Sequence, residues 1–209
     1  MKRLFLTFAL LGILLSSNAQ DTIRITHSNY VSVFSKSKHY PVMVTWWLTR
    51  NKLQCKDPLV RTNNFAPDPL LPAETNLAKD YAGHPYDRGH MSDAADNLCL
   101  GLPVENECFY YSNMAPQFPA LNRGSWKKLE MACRNLAIKE DSLHIWAGSI
   151  GEATKIGKVS VPVKCWKVVY SVKEKRYTAY LFSNTTNDAL NLHPETDLQT
   201  IRTLTGFNF

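Results

Sequence analysis

The run Leu121-Asn122-Arg123-Gly124-Ser125-Trp126-Lys127-Lys128-Leu129-Glu130 reads as a turn that opens a helix. Asn122, Gly124 and Ser125 are turn formers, and Ser125 is placed to cap the free amides of a helix running to about Lys139. Trp126, Leu129, Cys133, Leu136 and Ala137 recur at helical spacing and define an apolar stripe. Glu130 lies four residues after Trp126 and three before Cys133, so the same spacing puts a carboxylate on that stripe. Such a carboxylate needs a cation, an arginine or several donors, because burying it alone costs several kcal/mol or forces it to take a proton. A helix rotated until Glu130 reaches solvent is the plain alternative. Just before the helix, Asn122 offers a hard, neutral amide oxygen. Mg²⁺ favours such an oxygen, because it keeps most of its waters and takes only one or two protein ligands. An ordinary turn into a helix is the competing reading of the same residues.

Upstream, Tyr86-Asp87-Arg88-Gly89-His90-Met91 gathers ionisable side chains around a glycine that lets the backbone turn tightly. Histidine is the side chain best suited to act as a base near neutral pH. A carbonyl or carboxylate on one ring nitrogen would leave the other as acceptor. A solvated loop with a local Asp87 to Arg88 contact is the alternative. Tyr40 to Thr49 alternates Val42, Val44, Trp46 and Leu48 with Met43, Thr45, Trp47 and Thr49, which predicts a strand inside a sheet. Asn51 to Pro72 is rich in Asn, Asp and Pro and predicts an irregular loop. Val159 to Val172 and Arg176 to Ser183 alternate again around Lys173-Glu174-Lys175 and predict a long hairpin. Asp197 to Leu204 predicts a closing helix stopped at Gly206. This order of elements implies a mixed α+β domain.

Met1-Lys2-Arg3, the apolar Leu4 to Leu15 and Ser16-Ser17-Asn18-Ala19 have the layout of a secretory leader cleaved after Ala19. The expectation is a secreted or periplasmic protein of bacterial type, with residues 20–209 forming one domain. The apolar stretch is shorter than the roughly 20 residues of a membrane helix. The chain has 24 Lys and Arg against 18 Asp and Glu, and removing Lys2 and Arg3 with the leader leaves a surplus of +4. That balance suits a polyanionic partner but does not require one. Cys55, Cys99, Cys108, Cys133 and Cys165 make an odd set without a C-x-x-C pair, which argues against structural zinc. Cys99 with Cys108 and Cys133 with Cys165 are the candidate bridges.

Asp87-Arg88-Gly89-His90, then Asn113-x-x-Pro116-Gln117, then Asn122-x-Gly124-x-Trp126-x-x-Leu129-Glu130 together resemble the DNA/RNA non-specific endonuclease family. Weaker similarity extends through Trp146-x-Gly148, Val161-Pro162, Trp166-Lys167-Val168, Tyr180-Leu181-Phe182 and Leu204-Thr205-Gly206. The resemblance implies the ββα-metal, or His-Me finger, fold, with a central mostly antiparallel sheet flanked by helices. It implies a Mg²⁺-dependent hydrolase, tolerant of other divalent cations such as Mn²⁺, that cuts DNA and RNA to 5′-phosphate products. His90 would be the general base, Asn122 the direct metal ligand, and Glu130 a group reaching the metal through water. Arg88 would stabilise the phosphate and Asp87 would orient the motif. Arg61 would add a second phosphate contact, because Arg61-x-x-x-Phe65-x-x-Asp68 resembles a family segment. Arg123, with Lys127 and Lys128, would extend the basic track. Arg202 stands where the family usually carries glutamate. Two competing functions are a nucleic-acid binder that keeps the fold without catalysis and a metal phosphoesterase for small diesters. The absence of G-x-S-x-G leaves covalent serine hydrolysis without support.

Overall fold

Tyr40–Thr49 forms one strand of 10 residues in the computed structural model, which describes residues 21–209. The leader over residues 1–19 and its cleavage point at Ala19 lie outside the described residues. In chain order the strands are β1 (Thr22–Thr26), β2 (Val31–Ser35), β3 (Tyr40–Thr49), β4 (Asp87–His90), β5 (Met114–Gln117) and β6 (Ser142–Ile150). They continue with β7 (Thr154–Ile156), β8 (Val159–Val161), β9 (Lys164–Ser171), β10 (Arg176–Ser183) and β11 (Glu195–Thr196). The helices are α1 (Arg50–Leu53), α2 (Pro72–Thr75), α3 (Ala78–Tyr81), α4 (Leu102–Glu107), α5 (Pro119–Leu121), α6 (Lys127–Glu140) and α7 (Leu198–Thr205).

A seven-stranded antiparallel sheet in the order β1-β2-β3-β6-β9-β10-β11 is the frame. The apolar character of β3 on both faces is explained by its interior place between β2 and β6. Val44, Trp46 and Leu48 join Leu143, Ile145, Ala147 and Val169 on one face, where Trp126, Cys133 and Ala137 of the α6 segment seal them. On the other face Trp166, Val168 and Ala179 pack with Ile201 of α7, with Phe207 and Phe209 beside them. The β4–β5 hairpin and α6 lie together on the first face and supply the ββα unit. The fold is the mixed α+β, largely antiparallel arrangement that the sequence implied.

Three local expectations are corrected. Cys55 is bonded to Cys99, while Cys108, Cys133 and Cys165 are buried free thiols. The short helix α4 carries Cys108 into a cluster with Phe109 and Ala94, away from Cys99, and Cys165 instead receives a hydrogen bond from Gln117. The run over residues 159–172 is two strands, because Pro162 has no N–H to give to a ladder. Ser125 is not a helix cap; it lies inside a wide turn, Asn122–Trp126, that leads into α6.

Candidate active site

β4 alternates its side chains, so Arg88 and His90 emerge on the same side while Gly89 turns toward β5. A Cβ at Gly89 would collide with the Gln117 side chain, which makes glycine a requirement of the hairpin's close approach. His90 is 6% exposed, and its Nε2 is buried without a hydrogen-bond partner. Among the described residues the ring donates no hydrogen bond to a carbonyl or carboxylate. The imidazole instead packs edge-on against Phe109 at 5.0 Å and beside Phe65 at 5.7 Å. Trp126 Nε1 donates to the His90 carbonyl at 3.1 Å, which ties the strand to the start of α6. Burial, followed by the nearby charge of Arg61, pushes the His90 pKa down to about 3 against the opposing pull of Asp93. The ring is therefore neutral at physiological pH, with a lone pair not committed elsewhere.

Asn122 follows α5 and opens the wide turn. Its Nδ2 donates to Asp87 Oδ2 at 2.8 Å, which assigns the amide orientation and leaves Oδ1 as the hard donor. The same carboxylate holds Arg123 through Nε at 2.8 Å and Nη2 at 2.7 Å. Burial works against the Asp87 carboxylate, but these bonds and the Arg123 charge hold it below its ordinary value. Beyond the turn, Ser125 donates through N and Oγ to Asp188 Oδ2 at 3.0 and 2.9 Å. Gly124 leaves room for Asp188, since a Cβ there would meet its carboxylate.

Glu130 is buried on the helical stripe, which decides against the rotated helix, and its cation is Lys167 of β9, whose Nζ lies 4.0 Å from Oε1. Lys167 is itself buried, and its ammonium sits 4.3 Å from the Trp126 ring centre. Burial, reinforced by Asp93, pushes the Glu130 pKa well up despite Lys167. Arg134, one turn along α6 from Glu130, pairs with both Asp93 and Asp96. Asp96 also accepts from Trp46 Nε1 at 3.1 Å, and burial with the adjacent Asp93 raises it to about 7. Arg88 is walled by rings, its guanidinium carbon 4.8 Å from the Phe65 centre and 6.0 Å from those of Tyr81 and Tyr111. Its Nε is buried with no partner. Arg61 lies over Phe109 at 5.1 Å and donates to Asn63. The Cys55–Cys99 bridge ties the loop carrying Arg61 to the segment that follows Asp93 and Asp96.

Arg61, Arg88, His90, Asn122, Arg123 and Glu130 line one cavity of about 360 Å³, together with Asp93, Lys127 and Arg134. Asp87 lines the adjoining cavity with Tyr81, Tyr86 and Phe65. All seven residues singled out from the sequence thus converge. The local contact of Asp87 is with Arg123 and Asn122, not with Arg88. Asp93, Asp96, Arg134, Lys167 and Asp188 were missed. Arg134, one helical turn from Glu130, and Asp93, three residues after His90, carried a local signal; Lys167 and Asp188 meet the site through long-range packing.

Among the described residues no three His, Cys, Asp or Glu side chains converge as a metal cage. The donors fit a hydrated hard cation instead: the amide oxygen of Asn122 is free of the Asp87 bond, and the Glu130 carboxylate lines the same cavity.

The family described as DNA/RNA non-specific endonuclease matches residues 14–209. A nuclease of Nostoc sp. is 36% identical over 155 residues, covering 71% of this chain and 54% of that protein. Nuclease C1 of Cunninghamella echinulata is 30% identical over 162 residues, covering 69% of this chain and 64% of that one. The human mitochondrial nuclease EXOG is 26% identical over 206 residues, covering 88% and 55%. The chain therefore spans only about half to two thirds of the length of these relatives. A chain in the crystal structure of the EndoG/EndoGI complex superposes with a TM-score of 0.81, covering 89% of this chain and 84% of that one at 24% identity, a likeness of fold.

Proposed function

The chain belongs to the DNA/RNA non-specific endonuclease family, and from that premise we propose that it hydrolyses phosphodiester bonds within DNA and RNA, with His90 as general base and a divalent cation at Asn122. The observation that carries this reading is the neutral, unpartnered His90 Nε2 beside the cavity bounded by Arg61, Arg88 and Asn122. A water between Nε2 and the phosphorus gives its proton to the imidazole as its oxygen attacks. The bond from phosphorus to the 3′ oxygen breaks, the departing oxygen takes a proton from solvent, and the phosphate remains on the 5′ side. Arg88 holds fixed positive charge where negative charge accumulates, and its aromatic walls limit reorganisation during the step. Arg61, on the bridged loop, lines the same cavity and would add a second contact to the phosphate. Asp87 keeps the Asn122 amide turned with its oxygen outward. Mg²⁺, or Mn²⁺ in its place, would be held by Asn122 directly and by Glu130 through water, and would supply Lewis-acid charge.

The cavity presents guanidinium, imidazole, amide and carboxylate groups suited to phosphate, water and metal, which supports cleavage without sequence reading on either nucleic acid. Export through the leader ending at Ala19 belongs to the same reading, supported by a disulfide that persists in oxidising compartments. Among the described residues no helix is long and apolar enough to cross a membrane.

Supercoiled plasmid and a structured RNA, incubated with Mg²⁺ and then with EDTA, test the proposal. Both polymers are expected to be cut only with the cation, leaving ends that ligase accepts without kinase treatment. Binding that retards plasmid without nicking it would overturn the catalytic reading.

A further inference from the structure

The sheet face opposite α6 carries a row of aromatic rings that the catalytic cavity does not use. Trp47 on β3 is the cross-strand partner of His144 on β6, His144 of Tyr170 on β9, and Tyr170 of Tyr177 on β10. Their sequence neighbours Trp46, Leu48, Leu143, Ile145 and Val169 point into the core, so these four rings stand on the other side. Trp47 stacks on His144 with ring centres 4.2 Å apart and planes 13° apart, and Tyr170 lies 4.6 Å from Tyr177. Thr45 Oγ1 steadies the imidazole at 2.9 Å. The ends of the row are open, Trp47 being 45% and Tyr177 37% exposed. At strand spacing the row spans about 15 Å, the reach of a few stacked nucleotides.

Cations outnumber acids at both ends. Arg24 and Lys52 line a cavity of about 390 Å³ with Trp47 and His144, and no Asp or Glu lines it. At the other end the exposed turn beyond Tyr170 holds Lys173, Lys175 and Arg176 against Glu174 alone. Rings with flanking cations match a ligand that alternates flat aromatic faces with anions. A duplex hides those faces in its own stack, whereas a single strand offers them. A second copy of the chain, pairing this face with itself, would set cations against cations.

We propose that this face is a second nucleic-acid site, which takes single-stranded segments by stacking bases on the exposed rings of Trp47 and Tyr177, with His144 held between Trp47 and Trp146 as their support and Arg24 and Lys52 on the backbone. It rests on the nuclease reading for its biological sense. It lies across the sheet from His90, so it retains a polymer between cuts and takes no part in the chemistry.

Fluorescence anisotropy of a labelled oligothymidylate of about twelve nucleotides, in EDTA, tests it with the full chain and its Trp47→Ala, Tyr177→Ala and double variants. Each alanine is expected to weaken binding at least about fivefold. Trp47→Phe should restore most of the loss, and turnover of a thymidine dinucleotide with Mg²⁺ should not change in any of them. Unchanged affinity in the double variant would overturn the proposal. So would sedimentation showing that the variant splits a dimer, which would assign the face to self-association. Failure of every protein, wild type included, to cleave the dinucleotide and plasmid, with the binding loss intact, would remove the nuclease reading and leave this site standing.

Discussion

Asp87→Ala separates orientation from stability at the site. The substitution removes three hydrogen bonds, two to Arg123 and one to Asn122 at 2.8 Å. The Arg123 side chain is 71% exposed, so solvent screens that ion pair and its loss should matter little to stability. The amide bond to Asn122 contributes about 1 kcal/mol. For a chain of this size the melting temperature should then fall by only about 2–4 °C. Function should suffer more. Without Asp87 the Asn122 amide is free to turn its nitrogen into the cavity, and loss of a group that orients a ligand typically costs about 10- to 100-fold in metal affinity or activity. Plasmid nicking titrated with Mg²⁺ should therefore show a midpoint raised by about that factor. Asp87→Asn, which still accepts the bond from Asn122, should fall between the variant and wild type. A Mg²⁺ titration that superposes on wild type in Asp87→Ala would refute the orienting role.

His90→Ala should lower turnover about 100- to 10,000-fold with the melting temperature nearly unchanged, measured by single-turnover cleavage of a labelled oligonucleotide. Because burial and Arg61 hold His90 near 3, the pH profile of kcat/KM should show no step at the ordinary histidine value; a step at about 6.5 that His90→Ala abolishes would contradict the depressed pKa. Burial and Asp93 raise Asp96 from 3.8 to about 7, so the folded state keeps a proton that the unfolded chain releases. That stability is fully present below about 4 and declines as pH rises toward 7, and thermal unfolding should show the decline in wild type but not in Asp96→Asn. Replacing Cys55 and Cys99 together by serine opens a sequence separation of 44 residues, worth about 4 kcal/mol in chain entropy, and should also weaken substrate binding through Arg61; calorimetry with KM measurement checks both.

Much of the framework was legible where local pattern and burial agree. Tyr40–Thr49 alternates and is a central strand, and the Trp126 to Ala137 stripe is the buried side of α6. Asp197 to Gly206 holds its own cap and stop, with Asp197 accepting from Thr200 and Gly206 left-handed. Spacing put Glu130 on the apolar stripe but left open a helix rotated toward solvent, which the packing of α6 on the sheet rules out; its need for a cation followed from the cost of burial. Its partner did not follow, because Lys167 comes from β9 and only sheet order brings it under α6. Asp188 was invisible for the same reason. Ser125 looked like a cap by composition, yet Asp188 takes both of its donors. The cysteine pairing failed because spacing says nothing of which thiols the core encloses. At Arg202 the departure from the family's glutamate has a local use, since its Nη2 donates to the Phe209 carbonyl at 3.1 Å and ties down the C-terminal residues.

Whether cation and base meet at one phosphate can be seen in a crystal structure of the His90→Ala protein with Mn²⁺ and an uncleaved oligonucleotide. An anomalous peak is expected about 2.0–2.3 Å from Asn122 Oδ1, with a phosphate between that ion and the space vacated by the imidazole. An ion bound away from Asn122, or a phosphate seated out of reach of position 90, would contradict that convergence.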